Sequence, residues 1–503
     1  MVKIIIKAEN KTFEFSADKG TLISELLQSA GFFMEHPCAG RGTCGKCRVR
    51  AKGKLSKPTK AELKLLSQKN LKAGFRLSCQ AKILGDAEIA IVSRTVFTDK
   101  IFEGAYPLRE LKGPFGIAID LGTTTVAAFL VTLKDGLIHK GNAVLNQQSA
   151  LGAEVISRME SSHQSKSKEL KKLAEASIQE AVSGLGLEES QYQDVKRAIV
   201  VGNSAMHHLF LGFPVESLMK LPFQPVEREA RKVYIRILSQ EIETWVPPLI
   251  GGFVGSDALA CLIYLGFATR RKRIAAIDLG TNGEVMVTDG NKIVVASTAA
   301  GPAFEGVNIE CGMRASKGAI CSVSIAEKSQ TGVSAPLELE VIGGGKPKGI
   351  AGSGLLSLVN FFRKEGKIDS TGRLESGRIF LTETVYLSQS DVREVQKAKS
   401  AVRAAFEVLL ERLNLKDEDL EEMILTGSFG ARVNVRDALE LGLIPEIPQE
   451  RIKVIANAAG MGAGMMLARD AFEFACELAE KVEHIELFAS QEFMDRFINN
   501  MRL

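Results

Sequence analysis

The alternation of hydrophobic and polar positions divides the chain near residue 93. Before that point the apolar runs are short, and they either alternate as strands do or repeat at helical spacing. The predicted elements, in chain order, are strands at 2–8 and 12–16, a helix at 21–30, a strand at 48–51, a helix at 60–67 and a strand at 88–92. This is the element order of a β-grasp fold, so residues 1–93 are predicted to form a small α+β domain.

A hairpin pattern occurs twice in the longer α/β part that begins at Pro114. Residues 116–124 read GIAIDLGTT and residues 274–282 read IAAIDLGTN. Each copy predicts a buried strand, a turn opened by Asp and Gly, and a second apolar strand. The copies lie 158 residues apart, which is too far for a solenoid repeat. The pattern therefore predicts two similar subdomains that face each other.

The boundaries that follow from these patterns divide the chain into four parts. They are a first domain at 1–93, a linker at 94–113 that shows no sustained period, an α/β domain at 114–470 with subdomains at about 114–272 and 273–470, and a charged helical tail at 471–503. The second domain is predicted to be α/β.

Composition excludes several classes of protein. The chain has 503 residues, of which 45% are hydrophobic and 25% charged, as in an ordinary globular protein. Lys and Arg total 64 against 60 Asp and Glu, too even a balance for a nucleic-acid or membrane-surface partner. No apolar run approaches the roughly 20 residues that span a bilayer, and the first residues lack the apolar core of a signal peptide. We therefore expect a cytoplasmic protein.

Four of the eight cysteines lie in the first 79 residues, separated by five, two and thirty-one residues. They are Cys38, Cys44, Cys47 and Cys79. The spacing is close to that of plant-type [2Fe–2S] ferredoxins, and a cytoplasmic chain does not keep structural disulfides. A four-cysteine zinc site is the alternative, but zinc sites usually pair two short knuckles. The spacing favours a single [2Fe–2S] cluster.

The repeated hairpin predicts a nucleotide site. A Gly–Thr turn between two strands presents N–H groups and hydroxyls to an anion, and an Asp at its mouth can hold Mg²⁺ or position water. Asp120 and Asp278 are the predicted catalytic residues, and which of them is the general base stays open. The predicted phosphate-binding residues are Gly122, Thr123, Thr124, Thr125, Gly280, Thr281 and Asn282.

The two hairpins resemble the phosphate-1 and phosphate-2 loops of the ATPase superfamily of sugar kinases, seventy-kilodalton heat-shock chaperones and actin, which has a ribonuclease H-like fold. Residues 199–204 are similar to its first connecting segment, 424–430 to its adenosine loop and 457–464 to its second connecting helix. The resemblance adds Gly202, Asn203, Gly427 and Ser428 to the nucleotide site. Gly352 and Ser353 begin an apolar helix and are either an anion site or a tight helix start.

A ferredoxin-like unit ahead of an actin-like ATPase resembles the reductive activators of corrinoid-dependent enzymes, as do residues 301–306 and 391–399. The resemblance implies ATP-driven transfer of one electron from the cluster to the cob(II)amide of a corrinoid protein, giving cob(I)amide. The partner would be a methyltransferase subunit or a corrinoid iron–sulfur protein. A low-potential electron donor is implied but not identified, and a homodimer is one option. Members with an N-terminal [2Fe–2S] domain carry an additional middle domain before the ATPase, which we expect to be missing here because only some 20 linker residues intervene.

Three other functions share parts of this pattern. An activator of 2-hydroxyacyl-CoA dehydratases also pairs an actin-like ATPase with Fe–S chemistry, but lacks an N-terminal ferredoxin unit. A redox-sensing ATPase would signal to a partner without reducing it. A phosphotransferase would share the sugar-kinase fold, although nothing in the sequence marks a sugar pocket. Corrinoid reduction in the presence of ATP separates these functions from the first.

Overall fold

The computed structural model describes residues 2–8, 11–30, 42, 47–66, 68–91, 102–103, 108–151, 155–280, 282–305, 309–313, 315, 317–325, 337–430 and 432–503. Within these ranges no helix is both long and apolar enough to cross a membrane.

The N-terminal unit is a five-stranded sheet in the order β2-β1-β5-β3-β4, covered by short helices. Its elements are β1 (Val2–Ala8), β2 (Lys11–Ala17), α1 (Ile23–Ser29), β3 (Arg48–Leu55), α2 (Lys60–Leu65), α3 (Gln68–Lys72), β4 (Phe75–Leu77) and β5 (Ile83–Ile91). β1 pairs antiparallel with β2 and parallel with β5, so it lies inside the sheet. Ile4, Ile6, Leu27 and Ile89 are fully buried between sheet and helices. The predicted β-grasp order is confirmed.

The second unit begins with a seven-stranded sheet in the order β11-β12-β10-β7-β8-β9-β6. Its elements are β6 (Phe102–Glu103), β7 (Phe115–Leu121), β8 (Thr125–Thr132), β9 (Ile138–Leu145), α4 (Val155–Ser161), α5 (Ser167–Ser183), α6 (Glu189–Tyr192), β10 (Val195–Val201), α7 (Ser204–Leu211), β11 (Arg231–Ile237), β12 (Gln240–Val246) and α8 (Ser256–Leu265).

A six-stranded sheet in the order β22-β21-β13-β14-β15-β23 forms the other half. The elements are β13 (Ile274–Leu279), β14 (Gly283–Thr288), β15 (Ile293–Thr298), β16 (Ala319–Ile325), β17 (Leu337–Val341), β18 (Gly349–Ile350), α9 (Gly352–Lys364), β19 (Arg378–Phe380), β20 (Tyr386–Ser388), α10 (Gln389–Arg412), β21 (Glu422–Thr426), α11 (Gly427–Gly430), α12 (Val435–Glu440), β22 (Ile452–Val454), α13 (Ala458–Met465), α14 (Arg469–Lys481), β23 (Glu483–His484) and α15 (Gln491–Asn499).

The two large sheets share one arrangement of strands. β7, β8 and β9 form an antiparallel meander, and β10 lies parallel to β7 on its other side. β13, β14 and β15 form the same meander, with β21 parallel to β13. β7 is buried along its whole length, as the apolar run predicted. The prediction of an actin-like ATPase built from two similar halves is confirmed.

The second half of the predicted linker at 94–113 packs onto the ATPase unit, so the linker prediction is wrong there. β6 pairs antiparallel with β9 and extends the seven-stranded sheet. Leu108 and Leu111 pack against the core of the same half. Gln191 donates hydrogen bonds from Nε2 to the carbonyl oxygens of both leucines, at 2.7 and 3.2 Å. Residues 92–101 and 104–107 lie outside the described ranges.

Two helices cross between the halves. α8 follows the first sheet and α13 follows β22, and they pack so closely that a methyl group at Gly462 would lie 1.9 Å from the Ala260 carbonyl oxygen. The sequence placed the first connecting segment at 199–204, but these residues end β10 and begin α7. The partner of α13 is α8 instead. The predicted tail is helical, and its β23 adds an edge strand to the six-stranded sheet by pairing with β15.

Candidate functional site

An open cleft lies between the two hairpins, where the crossing helices α8 and α13 begin. The lining residues are Asp120, Gly122, Thr123, Thr124, Thr125, Asn203, Asp257, Ala258, Asp278, Gly280, Asn282, Glu284, Gly427, Asn457 and Ala459. The cleft thus gathers most of the residues that the repeat and the connecting segments predicted.

The first hairpin turn joins β7 to β8, and the side chains of two asparagines donate hydrogen bonds to it. Asn203 donates from Nδ2 to Thr123 Oγ1 at 3.0 Å, while its Oδ1 caps α7 by accepting from the Met206 N–H. Asn146 donates from Nδ2 to the Gly122 carbonyl oxygen at 2.9 Å. The turn is therefore fixed by side chains on its inner side. Asp120, at the end of β7, is buried beside it.

The second hairpin turn depends on a glycine of the neighbouring segment. Gly427 follows β21 with φ of +90°, a conformation that favours glycine. A methyl group there would lie 2.1 Å from Asp278 Oδ1. Gly427 therefore leaves room for the Asp278 carboxylate, in addition to lining the cleft. Thr281 and the side chain of Ser428 lie outside what the structure describes.

Among the residues that the structure describes, three of those predicted to bind nucleotide do not line the cleft. Gly202 lies beneath it, where its N–H donates to Ser256 Oγ at 3.1 Å and links β10 to α8. Gly352 begins α9 against the Phe304 carbonyl oxygen, 1.9 Å from where a methyl group would stand. Ser353 follows it and is buried. For these last two residues the packing favours the tight helix start over the anion site.

Asp257 and Glu284 were not predicted, although both line the cleft. Burial raises the pKa of Asp257 to about 7, and the charges of Asp120 and Asp278 add to the shift. Burial also raises the pKa of Glu284 well above its ordinary value, with Asp257 and Asp278 contributing. Glu284 stands in β14 four residues after the glycine of the repeated motif, and Asp257 follows a Gly-rich segment. The repeated motif before Glu284 and the Gly-rich segment before Asp257 are the sequence signals that could have identified these two residues.

The cleft is acidic, which bears on how it could hold phosphate. A carboxylate-lined site repels a triphosphate unless a cation accompanies it. Within the described ranges no three His, Cys, Asp or Glu side chains form a ready metal site. Mg²⁺ is usually held by one or two carboxylates together with phosphate oxygens and waters. The arrangement fits a magnesium ion that enters with the nucleotide.

Cys261 of α8 contacts Asp278, the second of the two predicted catalytic carboxylates. Its Sγ donates to Asp278 Oδ2 at 3.5 Å, and the residue is fully buried. Burial, together with Asp278 and Asp257, raises the pKa of the thiol well above its ordinary value. The thiol therefore stays protonated and remains a donor. It ties a crossing helix to the hairpin that carries Asp278.

Two of the four predicted cluster ligands come together in the N-terminal unit. The Sγ atoms of Cys47 and Cys79 lie 3.3 Å apart, too far for a disulfide, and both residues are buried. Gly42 has φ of +72°, and a methyl group there would lie 2.8 Å from Gln80 and 2.9 Å from Ala61. The sulfur pair fits two thiolate ligands of one metal centre. Cys38 and Cys44 lie outside the described ranges.

A buried ion pair fixes the strand that leads to Cys79. Glu62 accepts hydrogen bonds from Arg76 Nε at 2.8 Å and Nη2 at 3.0 Å, and from the Leu77 N–H at 3.0 Å. Burial alone would raise the pKa of Glu62, but the hydrogen bonds from Arg76, Thr59 and Leu77 together lower it. The carboxylate stays charged and holds β4 in place two residues before the cysteine.

Three family models match the chain in succession. Residues 5–84 match the 2Fe-2S iron-sulfur cluster binding domain, residues 115–270 the RACo middle region, and residues 272–503 the C-terminal domain of RACo, the ASKHA domain. The matched middle region begins with the first hairpin strand β7, so it lies within the predicted ATPase domain, and the absence of an additional domain ahead of the ATPase stays a prediction. The matching residues fold here as the seven-stranded half, which had been assigned wholly to the ATPase.

Two relatives and one solved structure are similar to the chain. The corrinoid activation enzyme RamQ of Eubacterium limosum is 32% identical over 438 residues, which cover 78% of this chain and 71% of the relative. The [Co(II) methylated amine-specific corrinoid protein] reductase of Methanosarcina barkeri is 30% identical over 334 residues, 60% of this chain and 62% of the relative. A solved reductive activator for corrinoid, iron-sulfur protein superposes with a TM-score of 0.69 at 26% identity, covering 100% of this chain and 98% of that one.

Proposed function

Because the chain belongs to the family of reductive activators of corrinoid proteins, we propose that it couples ATP hydrolysis to reduction of a corrinoid protein. One electron passes from a [2Fe–2S] cluster to cob(II)amide and gives cob(I)amide. The observation that carries the proposal is the presence, on one chain, of converging cysteine sulfurs and a two-hairpin nucleotide cleft. The partner is a methyltransferase subunit or a corrinoid iron–sulfur protein in the cytoplasm, and a low-potential donor supplies the electron.

The cluster, when bound, supplies a one-electron carrier. We assign its four ligands to Cys38, Cys44, Cys47 and Cys79. Cys47 and Cys79 are buried, so the surrounding protein excludes water from the side of the cluster that these two residues would hold. Glu62 and Arg76 hold β4, and β4 in turn positions Cys79. One cluster per chain is proposed.

The nucleotide cleft works by positioning, as phosphoryl transfer requires. The turn residues Gly122–Thr125 bind phosphate from one side and Gly280–Asn282 from the other, with Gly427 and Ser428 near adenosine. Asp120 and Asp278 hold the magnesium ion and the attacking water. Asp257 lines the same cleft, and burial together with the charges of Asp120 and Asp278 raises its pKa. Cys261 keeps Asp278 oriented through its Sγ–H.

Anaerobic incubation of the reduced protein with ATP, Mg²⁺ and a cob(II)amide protein tests the proposal. The absorbance of the corrinoid should change to that of cob(I)amide only when ATP is present. Asp278→Asn should lower both hydrolysis and corrinoid reduction while the visible spectrum of the cluster is kept. Asp470→Asn, an exposed residue of α14, is the matched control and should leave both rates unchanged.

The other outcomes of this experiment identify the competing functions. Equal corrinoid reduction with and without ATP would make the chain an electron carrier whose ATPase serves another purpose. ATP hydrolysis without any change in the corrinoid would favour a redox-sensing ATPase or an activator of a different enzyme. Transfer of the phosphoryl group to an added sugar, in place of water, would favour a phosphotransferase.

A further inference from the structure

One residue that lines the cleft carries a buried amide donor for which the described part of the chain supplies no acceptor. Asn457 precedes α13, lines the cleft and is 5% exposed. Its Nδ2 has no hydrogen-bond partner among the residues that the structure describes. Buried polar atoms are nearly always paired in folded proteins, because leaving one unpaired destabilises the native state. An unpaired buried donor on a residue that lines a ligand cleft therefore indicates a missing acceptor.

The orientation of this amide is fixed by the helix that it caps. Asn457 Oδ1 accepts from the Gly460 N–H at 3.0 Å, so the oxygen serves as the N-cap of α13. Exchanging the two ends of the amide would place an NH₂ group against that N–H. The free end must therefore be the donor. Asn457 also has φ of 41°, a left-handed conformation that asparagine tolerates better than most residues.

The surroundings indicate which acceptor is missing. The N-terminus of α13 carries partial positive charge and favours an anion, and Ala459 of its first turn also lines the cleft. An amide NH₂ group cannot bind a metal ion, since it has no lone pair to offer. The anion that the proposed function brings here is the phosphate chain of ATP. We propose that Asn457 binds nucleotide by donating from Nδ2 to a phosphate oxygen.

This role, which rests on the proposed function, extends the phosphate site beyond the two hairpins. The donor stands on a crossing helix, and α13 touches α8 at Gly462 and Ala260. A phosphate bound at Asn457 thus contacts the start of α13, the helix that packs against α8 between the two halves. Each hairpin, by contrast, belongs to one half only. The sequence indicates for residues 457–464 only a similarity to the second connecting helix.

Nucleotide affinity of the full chain with Mg²⁺ tests this role in two variants. Asn457→Gly removes the donor and keeps the left-handed backbone, and glycine is tolerated as an N-cap. Asn457→Asp keeps the cap and replaces the donor by a negative charge. ATP affinity should fall about ten- to a hundredfold in the first variant, the range for a hydrogen bond to a charged group, and further in the second. Adenosine affinity should stay within about twofold, because adenosine has no phosphate.

Asn434 provides the matched control, because its side chain also caps a helix, α12, while it is exposed and is not among the residues that line the cleft. Asn434→Gly and Asn434→Asp should leave ATP affinity unchanged. Unchanged ATP affinity in both Asn457 variants would overturn the inference and leave the proposed function intact. Equal losses of ATP and adenosine affinity, with a lower melting temperature, would also overturn it, since they would indicate a structural cap. Failure of the unmodified chain to bind ATP would overturn the proposed function as well.

Discussion

Two carboxyl groups of the cleft, Asp257 and Glu284, occupy positions where their negative charge is costly. Burial raises the pKa of each group, and the other carboxylates that line the cleft raise it further. Such shifts are common where a residue takes part in proton transfer. The same shifts make the stability of the folded chain depend on pH, because the folded state holds protons that the unfolded state has released.

In the absence of nucleotide and magnesium, the unfolding free energy should fall as pH rises from about 4 to about 7. The pKa of Asp257 moves from an ordinary 3.8 to about 7, so between these values the folded state binds more protons than the unfolded state. The slope of stability against pH is then negative. Denaturant titrations at pH 5 and pH 7.5 measure it. Asp257→Asn should flatten the slope, and Asp470→Asn should not; equal slopes in all three proteins would contradict the assignment.

Glu62→Gln should destabilise the ferredoxin unit by about 3–5 kcal/mol, because it leaves the buried Arg76 guanidinium without its counter-charge. Iron content should fall with it, since β4 positions Cys79. Thermal melting and iron analysis are the measurements. Glu88→Gln removes an exposed partner of Lys7 and should change stability by less than about 1 kcal/mol. Similar melting temperatures in the two variants would show that the buried pair does not hold the strand.

At the scale of single residues, the repeated motif explains which site residues could be predicted from the sequence. Asp120 and Asp278 stand at equivalent positions of two copies, so each copy supports the other. Asn457 occurs once, after a strand whose pairing brings it to the cleft only in the folded state. The free amide of Asn457 is visible only once its oxygen is known to cap α13. A single sequence contains no signal for that bond.

At the scale of elements, the crossing of α8 and α13 decides how the halves meet. Both helices are composed largely of buried residues, and small side chains let their backbones approach. Long buried strands such as β7 and β13 could be predicted from their apolar runs. β4, β6 and β23 could not, because two or three residues carry no period and are defined by the strands that they pair with.

Gly462→Ala should destabilise the ATPase unit by about 1–3 kcal/mol despite the higher helix propensity of alanine, because the new methyl group would lie 1.9 Å from a carbonyl oxygen of α8. Gly464→Ala, on the same helix, meets a side-chain carbon of Ile138 at 3.1 Å. That side chain can move, so this variant should be neutral within about 1 kcal/mol. Thermal melting compares the two. A more stable Gly462→Ala protein would mean that the helices are not in close contact.

At the scale of the whole molecule, two units with separate chemistry share one chain. Cys47 and Cys79 lie in the five-stranded unit, and the cleft with the two hairpins lies between the two larger sheets. The boundary between them could be predicted only roughly. β6 and the turn at 108–110 hold to the ATPase unit through one strand pairing and two leucines. Contacts of this kind leave no periodic pattern in a sequence.

Dividing the chain after residue 94 should therefore give two folded parts, whereas dividing it at Gly113 should damage the second. A cut at Gly113 removes β6 from the edge of the seven-stranded sheet and takes Leu108 and Leu111 from its core. The longer fragment, from residue 95, should hydrolyse ATP at the rate of the intact chain, and the fragment from residue 114 should melt at a lower temperature. The fragment 1–94 should take up iron and change its visible absorbance on one-electron reduction.

Neither part alone should sustain cob(I)amide formation from a mild electron donor, because the proposed coupling needs both sites to act on one corrinoid partner. Mixing the two parts should restore less activity than the intact chain, since tethering raises the effective concentration of one unit beside the other to about the millimolar range. Corrinoid absorbance with and without ATP measures this. Reduction by the isolated ferredoxin part at the rate of the intact chain, regardless of ATP, would show that the ATPase does not drive the transfer.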